Sequence, residues 1–81
     1  MKIEPLKILG AFRISPKKIQ DNRGIFGRMF CAKEFENYGM NTQWVQMNTS
    51  ISSDRGTVRG LHYQRPPHSE IKLVRCVRGK I

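Results

Sequence analysis

Nowhere in these 81 residues does an apolar run approach the roughly 18 that a membrane-crossing helix needs, so no helical span is expected. Acidic side chains are few. Six Asp and Glu face fifteen Lys and Arg, a formal net charge of +9, and such an excess favours an anionic partner without saying which anion. Cysteine is scarce as well: Cys31 and Cys76 stand far apart, in no CxxC or Cys/His cluster. That gives neither a zinc signature nor a disulfide framework, and packed thiols in a reducing cytoplasm are the plain expectation. His62 and His68 lack the HxH spacing of a metal-binding pair, so no metal is expected in these residues. The opening MKIEPLKILGAF is interrupted by Glu4 and Pro5 and does not read as a signal peptide.

What is present reads as short strands. Ile8 to Ile14 is an apolar run ended by Ser15-Pro16, and Asp21-Asn22-Arg23-Gly24 is a turn cluster leading into a second run, Ile25 to Phe30. Residues 31–38 carry Phe35 and Tyr38 three apart with good helix formers between them, and Gly39 stands where a helix would stop. One short helix is predicted there. Trp44 to Ser50, Thr57 to Gln64 and Ile71 to Val77 are predicted as further strands, separated by a turn around Ser52 to Gly56 and by a loop at Pro66-Pro67. Many short strands between Gly and Pro turns suggest an all-β sandwich or barrel such as a jelly roll. A jelly roll needs about eight strands, so the sequence reads as part of one, ending within its fold.

From Arg55 onward seven basic residues face Glu70 alone, which points to where an anion would bind. His62 lies in Arg59-Gly60-Leu61-His62-Tyr63-Gln64, and imidazole titrates near working pH, as a general base must. A lone histidine is more often structural. Here a guanidinium precedes it by three residues, a glycine allows close approach, and Lys72 follows on the next predicted strand. A base, an anion-binding fork and an ammonium are what proton abstraction beside a carbonyl of a phosphorylated substrate requires.

Four segments carry a resemblance, in order and spacing: DxRGxF at Asp21 to Phe26, QxN at Gln46 to Asn48, RGLHYQ at Arg59 to Gln64, and KLVRC at Lys72 to Cys76. Together they make the chain similar to the N-terminal half of the dTDP-4-dehydrorhamnose 3,5-epimerase family. The resemblance implies a cupin-type jelly roll, residues 1–81 being the first part of a single domain. It also implies a cytoplasmic homodimer, a dTDP-sugar substrate, and no metal or redox cofactor. It implies His62 as the proton acceptor and Lys72 as the cation that steadies the enolate. Arg23, Phe26, Gln46, Asn48 and Arg59 become substrate-binding positions, with Arg23 and Phe26 reaching into the partner subunit's site. The tyrosine acid and the carboxylate behind the histidine belong to the family's second half, so these residues alone are expected to be inactive.

Two departures stand out. Arg28 occupies a position where the family pattern has glutamate, and Met47 replaces the middle acid of a QDN segment. A relative that binds a nucleotide sugar with altered specificity is therefore an alternative. A basic nucleic-acid-binding module, with Trp44, Tyr63 and the arginines as contacts, is another, disfavoured because the aromatics and basic residues do not interleave in a known pattern.

Overall fold

The computed structural model describes residues 1–80, which divide into two units, Met1–Trp44 and a second that begins at Val45. In the first, β1 (Lys2–Pro5) pairs antiparallel with β2 (Phe12–Ser15), and β3 (Lys18–Asp21) pairs antiparallel with β4 (Gly24–Gly27). Two small antiparallel sheets and one short helix are consistent with the all-β expectation. The register of the first hairpin sets Ile3 opposite Ile14 and Glu4 opposite Arg13. Ile3 is buried, while the Glu4 carboxylate accepts from Arg13 at 3.1 Å and meets Lys2 Nζ at 2.8 Å. Burial of one face and charge pairing on the other is how a single hairpin distinguishes its two sides.

The second hairpin is closed by its own turn chemistry. Asp21 Oδ1 accepts the Arg23 backbone N–H at 2.8 Å, an Asx arrangement that holds Asn22 and Arg23 at the tip. Gly24 takes φ +129°, where an L side chain would be strained.

Helix α1 (Ala32–Glu36) is shorter than the span predicted over residues 31–38. Its N-cap, Cys31, makes no side-chain cap bond, and Gly39 ends the turn at φ +66° with its N–H donating to Glu36 O at 2.9 Å. The helix is held by Phe35, which is buried and stands edge-on to Phe30 with ring centroids 4.9 Å apart. Tyr38 meets Phe12 of β2 in a similar T-shaped contact at 6.3 Å, so the helix and the first hairpin share a small apolar cluster.

Three carboxyls in this unit are held below their ordinary values: Glu4 by hydrogen bonds from Lys2 and Arg13, Asp21 by the Arg23 side chain and backbone, and Glu34 by the Met1 ammonium and Arg28. A depressed carboxyl contributes stability that is fully present above its unfolded pKa, roughly 4, and is lost as pH falls through the lower folded value. All three lie in solvent-screened positions, so the effect is small. Amide resonances of β1 to β4 are expected to hold steady above about pH 5 and to shift modestly below about pH 4, with Glu34→Gln reducing that change. Resonances that do not move at all between about pH 5 and about pH 3 would contradict it.

The second unit departs from expectation. Trp44 to Ser50, Thr57 to Gln64 and Ile71 to Val77 were predicted as strands, yet none of them is in a ladder among the described residues. A strand exists only by exchanging backbone hydrogen bonds with a neighbour, and here the apolar side chains stay exposed, Val45, Leu61 and Val77 among them. The predicted turns did form. Arg55-Gly56 turns with Gly56 at φ +81°, and Pro66-Pro67 turns with the His68 N–H donating to Arg65 O at 2.9 Å. In the first unit, β2 starts later than the Ile8 to Ile14 run and β4 stops at Gly27 rather than at Phe30, while β1 and β3 were not predicted.

Candidate functional site

Arg59 is the best-anchored of the candidate residues. Its Nη1 donates to Ser50 Oγ at 2.7 Å, its Nε to Ser52 Oγ at 3.1 Å, and its Nη2 reaches Ile51 O at 3.5 Å. Ser50 and Ser52, two apart in the chain, both reach the Arg59 guanidinium. That spacing was the available signal for a pair that sequence reasoning passed over.

His62 is exposed and lies close to Gly60, which takes φ +81°. A Cβ built on Gly60 would stand 3.5 Å from the His62 backbone nitrogen and 3.6 Å from its Nδ1. Those are ordinary contact distances, so it is the positive φ that calls for glycine here. Gly60→Ala is expected to lower unfolding stability by about 1–2 kcal/mol through the left-handed backbone. Unchanged stability in a denaturant melt would contradict the left-handed conformation of Gly60.

Lys72 is half-exposed and forms an ion pair with Glu70. The two lie two residues apart, another period-of-two pairing that the sequence carried. Among the described residues, no hydrogen bond or ion pair joins His62 to Lys72, or either of them to Arg59. Gln46 and Asn48 are exposed.

In the first unit, Arg23 and Phe26 lie on the β3–β4 hairpin, both exposed. Asp21 grips the Arg23 guanidinium through Oδ2, at 2.6 Å to Nη2 and 3.1 Å to Nε, and that carboxylate raises the Arg23 pKa further above its ordinary value. Phe26 stands opposite Ile19 in the ladder. Arg28, the charge-reversing departure, donates to Glu34 Oε1 at 3.1 Å, while Glu34 Oε2 takes the Met1 ammonium at 2.9 Å. Its charge is spent inside its own unit. Among the described residues there is no cluster of three or more His, Cys, Asp or Glu that could hold a metal ion.

No solved structure matches the chain. Among curated proteins it is 42% identical to a dTDP-4-dehydrorhamnose 3,5-epimerase of Sinorhizobium fredii, over the whole of this chain and 42% of that protein. It is 40% identical to the Shigella flexneri protein of the same description, covering 45% of it. A dTDP-4-dehydrorhamnose 3-epimerase of Streptomyces niveus is 38% identical, with 39% of it covered. The chain therefore spans less than half the length of these relatives. A family profile described as dTDP-4-dehydrorhamnose 3,5-epimerase matches residues 5–81, through every motif from the β3–β4 turn to Lys72, and the chain belongs to that family.

Proposed function

We propose that the intact protein is an epimerase that inverts C3 and C5 of dTDP-4-dehydro-6-deoxyglucose, giving dTDP-4-dehydro-L-rhamnose, by proton abstraction and enolate stabilisation. The observation that carries this reading is the family match over residues 5–81, which takes in Arg59, His62 and Lys72 together. A hydrogen alpha to a ketone is too weakly acidic to leave unaided. A base must stand over it while positive charge meets the oxygen that becomes negative. In this reading His62 takes the carbon-bound proton, the electron pair moves onto the C4 oxygen, and Lys72 meets that oxyanion. Reprotonation from the opposite face completes each inversion, by an acid from the family's second half. Arg59, Gln46 and Asn48 hold the nucleotide.

The Lys72–Glu70 pair fits this role, because Glu70 keeps an ammonium in place until the developing oxyanion competes for it. A homodimer is part of the reading. Ile19, Ile25 and Phe26 leave apolar surface exposed on the β3–β4 hairpin, which suits a segment that enters a second subunit's site. The jelly roll also belongs to the proposal, the exposed segments of residues 45–77 being the strands that its remaining half would pair. The free thiols of Cys31 and Cys76 suit a reducing, cytoplasmic setting.

Arg28 weighs less toward altered specificity than its position implies, since Glu34 occupies it. A nucleic-acid module finds little support, because Trp44 is only partly exposed and its indole N–H is buried, unlike an open stacking face. The test is incorporation of solvent deuterium into the dTDP-keto sugar by the intact protein. Label at both C3 and C5 is expected. Label at C3 alone would favour the activity named for the Streptomyces niveus relative, and no label at either carbon would overturn the proposal.

A further inference from the structure

Four of the eight arginines, Arg13, Arg23, Arg28 and Arg59, have side-chain hydrogen-bond or ion-pair partners among the described residues. Arg13, Arg23 and Arg28 each lie against a carboxylate, at 3.1, 2.6 and 3.1 Å, and their charge is met within the fold. Arg59 is held differently. Its partners among the described residues are two hydroxyls and a carbonyl, all neutral, so it is oriented without being neutralised.

The donor inventory gives that arrangement a direction. A guanidinium has five N–H donors, and the three bonds leave part of that capacity unspent. A serine hydroxyl that accepts from a guanidinium still carries its own proton to donate. Ser50 and Ser52 therefore present O–H donors beside a fixed cation, a set that suits an anion and repels another cation.

We infer that Ser50 and Ser52 are positioning residues which hold the Arg59 fork and, with their own hydroxyl protons, complete a cradle for the diphosphate of the nucleotide. This rests on the proposed role of Arg59 in nucleotide binding and adds two residues to it. The cradle reads phosphate, not base or sugar, so its loss shows only with a phosphorylated ligand.

The experiment is calorimetric titration of the intact protein with dTDP and, separately, with thymidine. Replacing both serines by alanine is expected to weaken dTDP roughly 10-fold or more, as for lost hydrogen bonds to a charged group, and to leave thymidine unaffected. The paired Ser50→Thr and Ser52→Thr variant, which keeps both hydroxyls, is expected to recover most of the dTDP affinity. If the alanine pair binds dTDP like the unaltered protein while Arg59→Ala loses it, the serine role is wrong and the arginine role stands. Equal weakening toward both ligands would also overturn the cradle, by showing a general structural defect. Should Arg59→Ala keep full dTDP affinity, the underlying nucleotide-site reading fails, and the cradle with it.

Discussion

His62→Ala in the intact protein is expected to slow deuterium exchange at C3 and C5 by about 10²- to 10⁴-fold, the usual contribution of a positioned general base. Binding of dTDP should survive the change, since the nucleotide contacts are assigned to Arg59 and its neighbours. His68 provides the control. It follows the Pro66-Pro67 turn, where its backbone N–H donates to Arg65 O, and no role in proton transfer is assigned to it, so His68→Ala should exchange deuterium at the unaltered rate. The reverse ranking of the two variants would move the base from one histidine to the other. Full exchange by His62→Ala would remove the assignment altogether.

The second large effect belongs to Lys72. Once the proton leaves carbon, negative charge gathers on the C4 oxygen, and deleting one donor aimed at such an oxyanion typically costs about 10²- to 10³-fold. Lys72→Met keeps the length of the side chain and removes the charge, so it is expected to lose that factor in rate while dTDP affinity changes little. Lys72→Arg should recover only part of it, because a planar fork does not replace a compact ammonium at a single oxygen. Glu70 adds a further sign to check. Removing its carboxylate frees the ammonium from its partner, so Glu70→Gln should disturb exchange far less than Lys72→Met. A Lys72→Met protein that exchanges at the unaltered rate would show that the oxyanion is stabilised elsewhere.

Local chemistry was the legible part of this fold. Asp21 to Gly24, Gly39, Gly56 and Pro66-Pro67 all turn where their residue types direct, because each turn is decided within four residues by φ preference and short-range hydrogen bonds. The strands β1 and β3 were missed for a physical reason. Lys2-Ile3-Glu4-Pro5 and Lys18-Ile19-Gln20-Asp21 are mostly polar, and their strand character comes from the partners across the ladder rather than from their own propensity. The opposite error arose between Trp44 and Val77. There the side chains have the pattern of strands, but pairing depends on neighbours distant in sequence, which local periodicity cannot supply.

The candidate site divides in the same way. His62, Lys72 and Arg59 emerged from a joint motif, since no single spacing would have picked them out. Their immediate partners were within reach of the sequence. Ser50 and Ser52, and Glu70 beside Lys72, are pairs of residues two apart, the spacing that shares a face when a chain is extended. The partnership of Arg28 with Glu34 was less accessible, because it depends on how residues 28–34 bend into α1.

The most direct measurement is a crystal structure of the intact protein with the dTDP-keto sugar bound. It should show a His62 ring nitrogen facing the hydrogen-bearing carbon on one side of the sugar, and Lys72 Nζ within hydrogen-bonding reach, about 2.6–3.2 Å, of the C4 oxygen. A sugar that touches neither side chain, or an imidazole and an ammonium projecting from opposite sides of a sheet, would contradict the proposed chemistry.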